Sequence, residues 1–491
     1  NQILSVPPSY SKSENLTFIV GLGENKEDIN FYDLGTLIGS KINSDAEIKF
    51  LNVVEDTNLI IDGILYVQYK FNNYKSEDDS SVNNITFQDL DSSENEIKKN
   101  SVFWVRDLIN TPALDKSPEE FINKVRELVD SSGIEVEVYD QKWLEENDFG
   151  GVLGVGKGSD RPPYFLVGKY NSKAKYQVSL IGKGVLFDTG GYSLKSPAGM
   201  ETMKTDMSGA ASAWGVINII ARTNQDIGLT VYTPIVENMV SGSAIRPGDV
   251  LKTRNGKTIE VMNTDAEGRL IMADALAFAA ETNPDLICDI ATLTGASYVA
   301  LGLDVGAIFS NNSDLEKKFI ESAKNSNENF HPLPLFDGYR NLIDSDLADM
   351  KNTGGRFGGA ITAALLLKEF IDDNVDILKA WAKKLDSLSL YNLYTVNSTE
   401  FKDYVESFPE DDTKDLTGVN WVSLLNHERF FMFYGNVIED HKTYYKSYFN
   451  DYMFKGKNLY SYWANENNPM FLLTNGIATG QLQENENATS I

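Results

Sequence analysis

Ser117-Pro-Glu-Glu-Phe-Ile-Asn-Lys-Val-Arg-Glu-Leu-Val-Asp-Ser-Ser-Gly-Ile-Glu-Val-Glu-Val-Tyr, residues 117–139, carries a helix start, a helix stop and a strand in one run. Ser117 is an N-cap, Pro118 suits the first helical position, and Glu120 completes a capping box. Phe121, Ile122, Val125, Leu128 and Val129 recur at helical spacing, and Gly133 ends the helix. Ile134 to Tyr139 then alternates apolar and polar like a strand.

Outward from this stretch the alternation repeats. Strand-like apolar runs occur at Tyr164-Phe-Leu-Val, Val178-Ser-Leu-Ile, Leu229-Thr-Val-Tyr and Leu286-Ile-Cys-Asp-Ile, with helical segments at Leu270 to Ala280 and Ala360 to Phe370 between or after them. Strand and helix in alternation predict an α/β domain around a central mixed or mostly parallel sheet. Towards the N-terminus, Thr17-Phe-Ile-Val-Gly and Leu59-Ile-Ile-Asp-Gly-Ile-Leu-Tyr-Val read as strands of a smaller α/β domain, residues 1–95. The polar stretch from Lys75 to Asn100 reads as a surface loop near the border. Residues 96–116 are taken as a linker or connecting helix, and 117–491 as the larger second domain. Within it, 372–462 is rich in Tyr, Phe, Asn and Asp and reads as a divergent or inserted segment.

Composition narrows the function. With 491 residues the chain exceeds one ordinary domain, and 42% hydrophobic residues suffice for large cores. A net charge of −27 disfavours nucleic acid as a partner. No apolar run approaches the ~20 residues of a membrane span. The start lacks both an initiator Met and the pattern of a signal peptide, and the expected compartment is the cytoplasm. The lone Cys288 lies in an apolar run and reads as a buried, inert thiol. His331, His427 and His441 have no ligand-spaced neighbours, and no HExxH occurs, so histidine-based catalysis has little support. Gly151-Val-Leu-Gly-Val-Gly-Lys-Gly nearly matches a P-loop, but Gly158 replaces the hydroxyl that would hold Mg²⁺, and the run reads as a glycine-rich turn.

Three segments concentrate chemistry. Ile181-Gly-Lys-Gly-Val-Leu-Phe-Asp-Thr-Gly-Gly-Tyr-Ser-Leu-Lys places Lys183, Asp188 and Lys195 near a strand end. Met203-Lys-Thr-Asp-Met-Ser-Gly-Ala-Ala places Asp206 before a small-residue helix. Asn263-Thr-Asp-Ala-Glu-Gly-Arg-Leu sets Asp265, Glu267 and Arg269 at alternate positions, which share one face if the segment is extended. Each acidic residue alone reads as an ordinary solvated one. Four carboxylates gathered together need cations, and oxygen-rich sites suit Mg²⁺, Mn²⁺ or Zn²⁺.

These segments resemble the M17 leucyl aminopeptidase (cytosol aminopeptidase) family, whose signature matches residues 263–270. The resemblance runs from Val105-Arg-Asp-Leu-Ile-Asn-Thr-Pro-Ala to about Phe370 and includes Asp289-Ile-Ala-Thr-Leu-Thr-Gly-Ala and Asn352-Thr-Gly-Gly-Arg-Phe-Gly-Gly. It implies a metal-dependent aminopeptidase that releases leucine-like hydrophobic N-terminal residues from peptides with a two-metal activated water. Lys183, Asp188, Asp206, Asp265 and Glu267 match the metal ligands. Asp188 and Glu267 would bridge both ions, Lys183 and Asp206 would complete the tighter site, and Asp265 the exchangeable one. Lys195 and Arg269 match the catalytic residues outside the ligand set. Met203, Thr292, Leu293 and Gly295 match positions lining the substrate pocket. The implied cofactors are two divalent ions, Zn²⁺ and/or Mn²⁺, with Mg²⁺ or Co²⁺ also expected at the exchangeable site, and a bicarbonate held by Arg269. The implied assembly is a homohexamer, with no membrane partner. The family's Trp-Ala-His-Leu-Asp strand has two imperfect counterparts, Trp381-Ala-Lys-Lys-Leu-Asp and Trp463-Ala-Asn-Glu. A non-enzymatic scaffold and a two-metal phosphoesterase are the competing readings. The seven retained charged residues speak against the first, and a lysine ligand beside a leucine-friendly pocket against the second.

Overall fold

A computed structural model describes residues 3–6, 17–20, 30–50, 56–76, 83–371 and 376–381. Near the N-terminus, β1 (Ile3–Val6) and β2 (Thr17–Val20) pair antiparallel. Helices α1 (Phe31–Gly39) and α2 (Thr57–Tyr66) pack together beside the parallel pair β3 (Ala46–Ile48) and β4 (Ile85–Phe87). Leu34, Ile60, Ile61, Ile64, Leu65, Ile85 and Phe87 form the core of this unit.

Two expectations for this part fail. The apolar run at 59–67 is helical, not a strand, because its buried residues Ile60, Ile61, Ile64 and Leu65 follow helical spacing and pack on one side. The stretch 75–100 is not a plain loop. It contains β4 and the start of α3 (Ser93–Asn110), an 18-residue helix with Glu94 and Glu96 in its first turn.

After α3, α4 (Pro118–Val129) begins as expected, with the Ser117 hydroxyl accepting from the Glu120 N–H at 3.1 Å. Phe121, Ile122, Val125 and Val129 are buried, as the helical spacing requires. Next come β5 (Glu135–Tyr139), α5 (Gln141–Glu146) and α6 (Gly150–Gly156). The glycine run read as a turn is thus α6. A Cβ on Gly151 would lie 2.2 Å from the Leu270 carbonyl oxygen, so the glycine permits a close helix–backbone approach.

Among the described residues the central sheet has nine strands. Besides β5 they are β6 (Tyr164–Tyr170), β7 (Gln177–Gly182), β8 (Gly184–Asp188), β9 (Gly228–Asn238), β12 (Leu286–Ala291), β13 (Gly306–Ser310), β14 (Phe330–Pro332) and β16 (Asp376–Trp381). A smaller sheet joins β10 (Val250–Lys252), β11 (Thr258–Glu260) and β15 (Met350–Lys351). The central order is β14-β13-β16-β12-β7-β9-β6-β5, with β8 also paired to β9. Strands β16, β12, β7 and β9 are mutually parallel, whereas β13, β6 and β5 join antiparallel. The sheet is therefore mixed around a parallel centre.

The chain between these strands also forms helices α7 (Pro197–Met200) and α11 (Ser313–Asn325), and both faces of the sheet are covered. Residues of α3 and α4 pack with α8 (Ser208–Arg222) and its buried Trp214 on one core. The other core takes α6, α9 (Gly268–Ala280) and α12 (Gly359–Lys368). Cys288 is partly buried against the first core, and burial pushes its thiol up to about 12. Among the described residues no helix is long and apolar enough to cross a membrane. Apart from β16, the segment 372–462 lies outside the described residues, as do His427, His441 and Trp463.

Candidate active site

The parallel strands bring their carboxyl ends to one place. β7 ends at Gly182, β8 at Asp188, β9 at Asn238 and β12 at Ala291, and charged side chains gather beyond them.

Lys183 occupies the junction between β7 and β8, its N–H bonded to the Ile290 carbonyl and its carbonyl to the Ala210 N–H. Its buried ammonium lies 2.8 Å from Asp206 Oδ1 and 2.8 Å from Glu267 Oε1, and donates to the Thr292 carbonyl at 3.2 Å. A Cβ on residue 268 would stand 2.7 Å from this amine, so Gly268 leaves the lysine its room. Asp206 follows a 3₁₀ turn, Met203–Thr205, and accepts from the Thr292 hydroxyl at 2.8 Å.

Asp188 ends β8 with Oδ1 accepting from the Gly190 N–H and from Asn238 Nδ2, both at 2.8 Å. Its other oxygen is 2.9 Å from the Lys195 ammonium, which also pairs closely with Asp265. Two loops are zipped together here. Thr264 Oγ1 donates to the Gly190 carbonyl and accepts from the Ser193 N–H, while Ser193 Oγ accepts from the Thr264 N–H. Lys195 is thereby held between Asp188 and Asp265.

Asp265, Glu267 and Arg269 do not share a face of an extended segment. Residues 263–266 form a turn, Glu267 caps α9, and Arg269 lies in its first turn. The turn achieves what a strand would not: oxygens of Asp188, Asp265 and Glu267 all lie within 4.8 Å of one another. Arg269 is buried and donates through Nη1 to the Asn352 carbonyl at 2.7 Å, while its Nε has no hydrogen-bond partner. Of the expected pocket residues, Met203 sits in the 3₁₀ turn, Thr292 and Leu293 follow β12, and Gly295 opens α10 (Gly295–Leu301). His331 is exposed on β14 with its ring Nδ1 against the Pro332 carbonyl.

The charges are unbalanced. Four carboxylates face two lysines, and Asp206 Oδ2 and Glu267 Oε2 are buried without a hydrogen-bond partner. Burial, with the charge of Asp188 next, pushes Asp206 and Glu267 above the ordinary carboxylate range; burial also raises Asp265. Burial acts to lower the Lys183 and Lys195 amines, but the surrounding carboxylates outweigh it and leave both raised. Burial depresses the Arg269 guanidinium to about 10. Orphaned carboxylate oxygens beside a close trio of acidic groups are the donor set a divalent cation needs.

The profile described as the cytosol aminopeptidase family, catalytic domain, peptidase M17, matches residues 103–396. The chain belongs to this family. Its M17 relatives include a "Probable cytosol aminopeptidase" from Syntrophotalea carbinolica, 39% identical over 355 residues, which span 68% of this chain and 71% of that protein. Among solved structures, the cytosol aminopeptidase of Coxiella burnetii superposes with a TM-score of 0.71 at 35% identity, covering 78% of this chain and 83% of that one. The bottromycin maturation enzyme BotP in complex with Mn gives a TM-score of 0.72 at 29% identity, covering 77% and 86%. As an M17 member the chain is a metal-dependent aminopeptidase, a hydrolase of peptide bonds.

Sequence reasoning missed Asn238, whose amide joins Asp188 to the Thr264 carbonyl. A buried polar residue closing a long apolar strand was the available signal. It also assigned Thr292 only to the pocket, whereas its hydroxyl orients Asp206.

Proposed function

We propose that this M17 member is a leucyl aminopeptidase using two divalent cations. The observation that carries the reading is the trio Asp188, Asp265 and Glu267 within 4.8 Å, beside orphaned oxygens on Asp206 and Glu267. In this reading Asp188, Glu267, Lys183 and Asp206 would hold one cation, and Asp188, Glu267 and Asp265 the more exchangeable one. The ions are Zn²⁺ or Mn²⁺, with Mg²⁺ or Co²⁺ acceptable at the second site. When bound, paired divalent cations supply a nucleophilic water near neutral pH and polarise a carbonyl.

The protein's own groups do the rest. To serve as a ligand Lys183 would release its proton to solvent, and the cations would take over the neutralisation of Asp206 and Glu267 that its ammonium provides. Lys195, whose ammonium lies between Asp188 and Asp265, would offer that charge to the oxyanion that develops on the scissile carbonyl. Arg269 keeps its charge, and its unpartnered Nε is a donor for a small anion such as bicarbonate acting as base. Met203, Thr292, Leu293 and Gly295 line the pocket for a leucine-like side chain. We further propose the domain division 1–95, 96–116 and 117–491, with 372–462 a divergent or inserted segment apart from β16, which belongs to the central sheet, a homohexameric assembly and a cytoplasmic location.

Hydrolysis of a leucine amide reporter by metal-stripped protein, before and after Mn²⁺ or Zn²⁺, tests the reading. Activity restored by metal and absent with an N-acetylated substrate supports it. Folded protein inactive with every metal overturns it.

A further inference from the structure

Strands β11 and β15 run parallel, with Glu260 opposite Lys351, and the Asn352 N–H extends the pairing to the Glu260 carbonyl at 2.9 Å. Beyond this point the two chains part. One enters the turn that presents Asp265 and Glu267; the other enters a glycine-containing stretch leading to α12. Asn352, fully buried, fills the fork.

Its side-chain oxygen accepts from the N–H groups of Met262, at 2.8 Å, and Asn263, at 3.2 Å. Its Nδ2 donates to the carbonyls of Asn263, at 2.6 Å, and Ala266, at 3.3 Å. A carboxamide has two acceptor positions and two N–H donors. All four are used on residues 262–266, and the residue's own carbonyl takes the Arg269 guanidinium. An aspartate lacks the donors, a serine has one, and a leucine has none.

We propose that Asn352 is a positioning residue for the metal-binding turn. By clamping both edges of residues 262–266 it sets the spacing of the Asp265 and Glu267 oxygens, and by its carbonyl it fixes Arg269 relative to them. Lys183 and Asp206 hang on other elements, the β7–β8 junction and the 3₁₀ turn. The effect of Asn352 therefore falls on the cation that Asp265 completes, more than on the one held by Lys183 and Asp206. This inference rests on the two-cation reading above.

The test uses full-length Asn352→Leu and Asn352→Asp with Mn²⁺ titration, amide hydrogen exchange, and kcat and KM on a leucine amide. Asn352→Leu is expected to raise the weaker Mn²⁺ dissociation constant ten- to a hundredfold while the tighter one changes little, the scale typical of groups that orient ligands. The Met262 and Asn263 amides lose exchange protection in Asn352→Leu and keep it in Asn352→Asp, which retains the acceptor. Asn352→Asp still loses Mn²⁺, because an acceptor then faces two carbonyls. In both variants kcat at sub-saturating Mn²⁺ falls, and saturating Mn²⁺ restores part of it. If Asn352→Leu does not fold, Asn352→Ser serves in its place. Wild-type Mn²⁺ constants and kcat in these variants overturn the inference, as does equal weakening of both sites. If the wild-type protein itself binds no Mn²⁺ and cleaves no leucine amide, the two-cation reading fails and this inference falls with it. Two-site binding by wild type with unaffected variants removes the inference alone.

Discussion

Two buried lysines lie on either side of β12 and are balanced in different ways. Lys379 on β16 stands opposite Asp289 on β12 in the parallel register, with Nζ 2.7 Å from Oδ2 and both side chains fully buried. Lys183, just past the neighbouring β7, faces Asp206 and Glu267 within a group of four carboxylates. The first is a pair of one cation and one anion. The second carries excess negative charge and orphaned oxygens. A balanced buried pair needs nothing further from solvent, whereas an unbalanced one is complete only with added cations. The contrast separates a structural ion pair from a functional cluster without reference to any substrate.

Substitution at each place should separate the two. The largest effect is expected for Glu267→Ala, which should lower metal-dependent hydrolysis at least ~100-fold. It should leave the melting temperature of metal-free protein unharmed, because one source of carboxylate repulsion is gone. Assays of leucine amide cleavage and calorimetric melting check both halves. Lys379→Met should do the reverse. Removing the lysine that pairs with buried Asp289 costs about 3–5 kcal/mol of stability, read by denaturant unfolding, while activity per folded molecule persists. A Lys379→Met, Asp289→Leu double variant should regain most of that loss. A loss of activity in folded Lys379→Met would erase the distinction between the two lysines.

A pH series sharpens the comparison further. The raised carboxyls of Asp206, Glu267 and Asp265 hold protons that the unfolded chain has already released. Their contribution to metal-free stability is full below ordinary carboxylate values and is lost as pH rises through the raised ones. Melting in chelator should therefore fall between roughly pH 5 and 8, and the rise caused by Mn²⁺ should grow over the same range. A flat difference would show that metal does not replace those protons. The smallest effect is expected for Thr292→Val, which removes one donor from Asp206. A loss of ~1 kcal/mol corresponds to a several-fold weaker metal, measurable by titration.

Much of the scaffold was legible locally. The Ser117 cap, the helical spacing of Phe121, Ile122, Val125 and Val129, and the strand runs around 164, 178, 229 and 286 rest on short-range rules that the tertiary structure did not override. The failures also have local causes. The run at 59–67 is apolar enough for either element, and only its packing against α1 decides for helix. The glycine run at 150–156 has turn composition, yet it folds as a helix because its missing side chains let it approach the Leu270 and Lys252 backbone.

For the site, the order of residues along the chain already tells which ones carry charge and that they lie in glycine-containing segments. Their types and local order follow from the chain and from nothing else. Tertiary structure alone decided that Asp188, Asp265 and Glu267 meet within 4.8 Å, that Lys183 rather than Lys195 is the fully buried amine, and that the amides of Asn238 and Asn352 hold the turns in place. The physical reason is range. Helical and strand periodicity act over a few residues, whereas the cluster forms only when parallel strands far apart in sequence bring their carboxyl ends together and exclude water from the charges between them.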